Sequence, residues 1–383
     1  MKEQIWHKLN NLIIILLFGI SIFIPFFVGI LETDTEISKT EKRKLVQLPK
    51  IPKTMEEINK FPQLFDKYYA DHFGLRYLFT EYYKLVKYNI NDSPSRDVTI
   101  GKNGWLFLGS KIGYNRYDDP IGDVRNVNLF SQFELKQFAE HMEKLNSWLN
   151  KKEIKYMFVI APNKHTIYFN QLPNYITKVN EKSAADQLIE YLNKHTNISV
   201  VDLRKALLKE KDKQQIYFKT DTHWNHYAVN IAQHEIMLKI AKIFPGEIKP
   251  ELQKLKVRMR KGGDLSNFIG INNLQEPYPY PVFKPTCHLT KHPKQANEII
   301  THTFTCKNKK LNAIIFRDSF FEALQPYFVR KFKRSTYIWG KLDYPSLKKY
   351  LELEQPDIII EEIVERNLPY LPKTIKYTPY IKK

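Results

Sequence analysis

Cysteine is scarce: 383 residues hold two, Cys287 and Cys306. With no second close pair of thiols, a four-ligand structural zinc site has no donor set, and no metal is expected. Zinc-finger spacing, an RNP-type aromatic motif and a P-loop are all missing, so no nucleic-acid partner is expected either. Acidic residues are in deficit, with 41 Asp and Glu against 60 Lys and Arg, a net charge of +19. Such an excess suits an acidic polymer or surface as partner, and a lysine-rich composition by itself produces it equally well. Apolar residues are not in deficit. At 43% hydrophobic and 14% aromatic, the chain has the material for one large or two ordinary domains, and disorder is excluded.

Charge vanishes altogether from Leu12 to Leu31, LIIILLFGISIFIPFFVGIL, a stretch long enough to cross a bilayer as a helix. Lys2, His7 and Lys8 precede it and Glu32, Asp34 and Glu36 follow, so the positive-inside rule keeps the N-terminus in the cytoplasm and sends the rest out. No A-x-A site closes the stretch, which favours a retained anchor over a cleaved signal peptide; a buried core helix is the other reading. Residues 1–37 are thus expected to be a cytoplasmic tip and single-pass anchor, with a periplasmic or cell-surface body. In that compartment Cys287 and Cys306 are expected to bridge, because the β-branched run EIITHTFTC reads as one strand of a hairpin between them. Two unrelated buried thiols are the alternative.

Residues 38–130 divide into three pieces. SKTEKRKLVQLPKIPK (38–53) is charged and proline-punctuated, as a tether is. The segment 54–90 has helical spacing, with Phe65, Tyr69, Phe73, Tyr77 and Leu78 near one face, and its Asp71 and His72 read as structural. VTIGKNGWLFLGS sets two apolar runs around Asn103-Gly104, a hairpin signal, with Trp105 in the core. These pieces are expected to pack on a body at 131–383, where helical and strand patterns alternate: FELKQFAEHMEKLNSWLNKK, IKYMFVIAP, AADQLIEYLNKH, ISVVDL. That alternation predicts an α/β fold with a parallel sheet flanked by helices.

Within this body, DTHW places Asp221 and His223 two residues apart, so on extended backbone both side chains leave the same side. Asn225 is placed to cap the helix that follows. An acid beside an imidazole is half of a device for activating a nucleophile. The other half is found at LNAIIFRDSFFEALQPYF, a buried strand, a sharp turn and a helix, with Ser319 in the turn. There backbone amides and the helix dipole favour the negative charge of acyl transfer. STYIWG then ends a strand at Gly340, and PDIIIEEIVERNL ends one near Glu365, Arg366 and Asn367. Other polar residues have plainer readings. Asp318 braces the turn, His226 has no third ligand at matching spacing, Trp224 packs the loop or touches sugar, Asp264 in KGGDLSNF lines the cleft or merely turns, and Lys164 either reaches the crevice or is solvated.

Strand-(x)DS-helix, strand-Gly-helix, strand-Asn resembles the SGNH hydrolases. DTHW ahead of RDSF, with DHFGLR and GKNGWLF upstream and an N-terminal anchor, resembles the AlgX/AlgJ and DHHW branch of polysaccharide O-acetyltransferases over roughly residues 40–370. The resemblance implies an SGNH hydrolase-like sheet with circularly permuted motif order behind a transmembrane helix. It implies Ser319 as nucleophile, His223 as base and Asp221 as the carboxylate that orients it. The Gly340 amide, the Asn367 side chain and the Ser319 amide are the implied oxyanion donors, with Arg366 as an alternative. Two departures stand out: Arg317 occupies the GDS glycine position, which alters the turn or brings a guanidinium to assist with charge at the site, and D-x-H is one residue shorter than the D-x-x-H of many SGNH hydrolases, as in the acetyltransferase branch. The implied activity is O-acetylation of a polysaccharide, anionic if the basic surface is used. No cofactor is bound, and a membrane-bound O-acyltransferase partner supplies the acetyl group. An esterase or deacetylase with the same triad and a non-catalytic polysaccharide-binding scaffold are the alternatives.

Overall fold

The computed structural model describes residues 2–31, 37–38, 43–110, 119–271, 273–285, 287–293 and 301–371. The acidic flank Glu32, Asp34 and Glu36 and the start of EIITHTFTC lie outside them. The chain divides into two compact units, Met1–Pro94 and Ser95–Lys383, so the break falls ahead of the boundary expected near residue 130.

In the first unit α1 (Lys2–Leu31) contains the apolar stretch Trp6–Gly29, whose mean hydropathy is 2.8, long and apolar enough to cross a membrane. The single helical segment expected at 54–90 is two helices, α2 (Met55–His72) and α3 (Arg76–Asn89). Thr54 and Glu57 form a capping box at the start of α2, while Gly74 and a left-handed Leu75 (φ 64°) break the run. No residue of either helix is buried. Asp71 is structural: its carboxylate takes both Arg43 guanidinium nitrogens and the Val46 amide.

The second unit is built on a seven-stranded sheet. In the order β1 (Val98–Ile100), β2 (Leu106–Leu108), β3 (Lys155–Ala161), β4 (Ser199–Asp202), β5 (Lys254–Lys261), β6 (Gln275–Val282), β7 (Leu289–Lys291), β8 (Thr301–Cys306), β9 (Asn312–Arg317), β10 (Arg334–Trp339) and β11 (Ile358–Val364), the sheet runs β4-β3-β11-β9-β10-β8-β7. The first five strands in that sheet order are parallel; β8 runs antiparallel to β10, and β7, antiparallel to β8, closes the edge. Cys287 and Cys306 are joined across that edge hairpin. Asn103 and Gly104, both with positive φ, turn the β1–β2 hairpin as their sequence demands, and Trp105 is buried.

The strands are apolar on both faces, and alternate side chains serve two cores. Met157, Val159, Ile315 and Ile360 meet α6 (His226–Ile243) and α7 (Phe321–Phe328) on one face. Phe158, Ile160, Ile314 and Ile359 meet α4 (Gln132–Asn150), α5 (Ala184–His195) and α8 (Tyr344–Glu354) on the other. Capping boxes Ser131/Glu134 and Ser183/Asp186 start α4 and α5, and Asn225 caps α6 by accepting from the Tyr227 amide. The ends of β9 and β11 and the loop before α6 therefore open toward one crevice, as parallel sheets arrange it.

Candidate active site

Asp221, His223 and Ser319, 96 residues apart at the widest step, meet in that crevice. His223 Nε2 lies 2.8 Å from Ser319 Oγ, and His223 Nδ1 lies 2.8 Å from Asp221 Oδ1. The same Asp221 oxygen also accepts the His223 main-chain amide at 3.0 Å, which fixes the rotation of the ring. Burial by itself raises the Asp221 carboxyl, but the His223 contact and the Arg260 guanidinium outweigh it and hold the group well below the usual carboxylate range. The pocket in front is about 320 Å³, walled by Phe218, Arg260, Tyr278, Phe320, Glu322 and Pro326 around the imidazole and the hydroxyl.

Why the loop holds this shape is legible from its bonds. Arg260 of β5 donates to Asp221 Oδ2 at 2.9 Å and to Glu276 Oε1 at 3.1 Å, with its guanidinium 3.6 Å from the Phe218 ring centroid. Glu276 of β6 accepts the Lys219 amide at 2.7 Å and the Thr220 hydroxyl at 2.6 Å. Asp264 accepts the Thr222 amide at 2.7 Å. A Cβ on Gly263 would fall 2.3 Å from Asp221 Oδ2, so glycine is required for this close approach. Asp221, His223 and Asp264 offer ligand atoms within 4.8 Å of one another, and both ring nitrogens of His223 are already engaged, one by Asp221 and one by Ser319.

Lys164 differs from the solvated residue read in the sequence. It is buried, and its ammonium donates to the carbonyls of Leu106, Lys219 and Asp221 at 2.5, 2.9 and 3.0 Å, over the rings of Trp105 and Phe107. Burial pushes it down to about 7. It ties the hairpin to the Asp221 loop and does not wall the pocket. Trp224 is buried too, and its Nε1 donates to the Phe320 carbonyl at 3.0 Å, fastening the histidine loop to the serine turn. His226 sits behind them, its ring nitrogens 3.3 Å from the Tyr327 hydroxyl and 3.5 Å from that of Tyr278, and burial lowers it to about 4.

The serine turn is braced by Asp318, whose two oxygens accept the amides of Phe320 (2.9 Å) and Val364 (2.8 Å). Arg317 turns away from the pocket: it is buried, lies 4.6 Å from the Trp339 ring centroid and bonds Glu322 Oε1 at 3.2 Å. The Gly340 amide, expected as an oxyanion donor, donates instead to the Arg317 carbonyl at 2.9 Å. Neither Gly340 nor Asn367 walls the pocket. Arg366 of the same block comes closer, its guanidinium 5.4 Å from the Phe320 ring centroid and held by Asn163 Oδ1 at 3.2 Å.

A family model, the SGNH hydrolase-like domain of acetyltransferase AlgX, matches residues 98–310, more than half of the chain. The chain belongs to this family. The match takes in Asp221 and His223 and ends short of Ser319, which the fold brings to them. Curated relatives include the probable alginate O-acetylase AlgJ of Pseudomonas syringae pv. tomato, 24% identical over 221 residues, covering 56% of this chain and 52% of the relative. That of Azotobacter vinelandii is 23% identical over 247 residues, covering 62% and 58%. The chain thus spans a little over half the length of these relatives. Among solved structures, Bacillus cereus PatB1 with a sulfonyl adduct aligns with a TM-score of 0.52 at 15% identity, over 74% of this chain and 100% of that one, a likeness of fold.

Proposed function

We propose that this protein is a membrane-anchored, extracytoplasmic O-acetyltransferase that acetylates polysaccharide hydroxyls through Ser319, His223 and Asp221. The observation that carries the reading is the continuous chain of contacts from Asp221 Oδ1 through both His223 ring nitrogens to Ser319 Oγ, opening on a solvent-reached pocket. Family membership supports acetyl transfer, and the relatives' name as alginate O-acetylases supports a polysaccharide acceptor.

In this reading Ser319 Oγ bonds to the acetyl carbonyl carbon while its proton passes to His223 Nε2. The donor's ester bond breaks, and the leaving oxygen takes that proton. A sugar hydroxyl then gives its proton to His223 and attacks the acetyl-serine, and Ser319 recovers the proton as the sugar ester departs. Asp221 keeps the ring in the tautomer with Nδ1–H and stabilises the imidazolium. In this reading the Ser319 amide, at the turn into α7, and the Arg366 guanidinium meet the oxyanion. The Trp6–Gly29 helix is the anchor, and the donor is an acetyl ester formed by a membrane-bound O-acyltransferase partner, with no cofactor bound here.

The test is the intact mass of the protein after exposure to an activated acetyl ester, with and without an oligosaccharide acceptor. Wild type should gain one acetyl group and pass it to the sugar, and Ser319→Ala should gain none. Free acetate with no acetylated sugar would make the protein an esterase. Identical labelling of both proteins would remove Ser319 from the chemistry and leave a scaffold role.

A further inference from the structure

The first unit carries an apolar surface that its own residues leave uncovered. On α3 the side chains of Leu78, Phe79, Tyr82, Leu85 and Val86, and that of Ile90 just after it, are exposed, Tyr82 by 60% and Ile90 by 64%, while Thr80, Glu81, Lys84 and Lys87 are partly buried. At 100° per residue the exposed set falls on one face and the polar set on the other, the inverse of a helix on a water-filled surface. On α2 the rings of Phe61, Phe65 and Tyr69 stack at 6.0 and 6.4 Å, and the ridge continues through Phe73 to Phe79 at 5.7 and 6.3 Å. The turn between the helices sits directly on α1, for a Cβ on Gly74 would fall 2.1 Å from the Pro25 carbonyl oxygen and 2.4 Å from the Gly29 nitrogen. Pro25 and Gly29 are the last turn of the apolar stretch Trp6–Gly29, so the turn lies within about 6 Å of its outer end at 1.5 Å per residue.

We propose that α2 and α3 form an interfacial hairpin, lying in the outer headgroup region of the bilayer with the Phe61–Phe79 ridge and the Leu78–Ile90 face turned into lipid. The occupant is lipid because the bare face is continuous at Gly74 with a helix whose remaining surface is equally bare, only 6% of its span being buried. Its composition fits as well: tyrosines combine an apolar body with a wet hydroxyl, as interfacial belts require. The hairpin would fix the level of the chain against the membrane, which a single helix with a flexible tether does not.

The inference rests on Trp6–Gly29 being a membrane span, and the experiment separates the two. The full chain is reconstituted in phosphatidylethanolamine/phosphatidylglycerol vesicles after placing one nitrobenzoxadiazole label at Ile15→Cys, Tyr82→Cys or Ile90→Cys; the native cysteines are bridged and take no label. Lipids carrying a nitroxide at the headgroup or deep in the acyl chain then report depth. Labels at 82 and 90 should lose roughly half their emission or more to the shallow nitroxide, as expected for a face ~5–10 Å into the interface. The label at 15 should answer to the deep one. Quenching at 15 without quenching at 82 and 90 overturns the interfacial hairpin and leaves the anchor intact. No quenching at 15 removes the anchor and this inference with it. Labels at 82 and 90 that are shielded only in native membranes, and never by nitroxide lipid in vesicles, assign the face to a protein partner and overturn the proposal.

Discussion

The segments Ser95–Lys383 and Met1–Pro94 are similarly rich in apolar residues, and they place them in opposite ways. In the larger unit both faces of the sheet are packed, and Leu188, Leu192, Ile236 and Phe321 are fully enclosed. In the smaller one, no residue of α2 or α3 is buried. The polar groups follow the same division. Around Asp221 each charged side chain meets a partner within the unit, whereas the polar side of α3 is half-covered and its apolar side bare. On the inference above, the larger unit folds in water and the smaller one is completed by lipid. Chemistry that needs a hydroxyl, an imidazole and a carboxylate held to a few tenths of an ångström belongs in the first kind of environment.

The largest expected effect tests that the chemistry resides wholly in the larger unit. Ser319→Ala should lower acetyl transfer by ~10³–10⁶-fold, the range seen when a triad nucleophile is removed, with no loss of thermal stability. Asp221→Asn should lower it by roughly 10³–10⁴-fold by favouring the wrong imidazole tautomer. Turnover assays beside melting curves check both; a large fall in melting temperature for Ser319→Ala would blur the separation of site from scaffold.

Lys164 offers a sharper probe, because it is a buried cation inside the well-packed unit. Its carbonyl partners Leu106, Lys219 and Asp221 all lose a donor in Lys164→Met, so the variant should be less stable by about 2–4 kcal/mol. The pH dependence has a definite sign. Burial lowers the folded amine from 10.5 to about 7, so between those values the unfolded chain holds more protons, and wild-type stability should rise with pH across that window. Lys164→Met should lack this rise. Melting temperatures of both proteins from pH 6 to 10 decide it, and parallel curves would show that the three carbonyls keep the amine protonated.

The meeting of Asp221, His223 and Ser319 was legible in the sequence because each residue is announced locally. Asp221 and His223 share a side of an extended loop by spacing alone, and Ser319 follows a run of buried strand residues at the mouth of a helix. Arg260 and Glu276 were not legible. They lie 16 residues apart, on strands KLKVRMRK and QEPYPYPV, and only the pairing of β5 with β6 brings Arg260 opposite Glu276 and both to the Thr220 loop. KGGDLSNF carried a usable signal, since two adjacent glycines ahead of an acid mark a close backbone approach, here to Asp221. The burial of Lys164 was not legible because its partners are three main-chain carbonyls, one from β2 and two from the Asp221 loop, which no side-chain pattern records. The Gly340 amide was taken up for a similar reason: it extends the β9–β10 ladder by donating to the Arg317 carbonyl.

The smallest effects test the contrast between the units most directly. Leu188 and Leu85 are the same side chain on two amphipathic helices, one fully enclosed and the other exposed by 45%. In detergent-free buffered vesicles, Leu188→Ala should cost about 2–5 kcal/mol, since it removes packed methyl groups and leaves a cavity. Leu85→Ala creates no cavity in the folded chain and should shift the stability of the larger unit by less than about 0.5 kcal/mol. Its cost should appear as weaker attachment of the hairpin to lipid, bounded by the apolar area that the side chain withdraws from water there. If Leu85→Ala lowered the melting temperature as far as Leu188→Ala, the face on α3 would be a protein core, and the division drawn between the two units would fail.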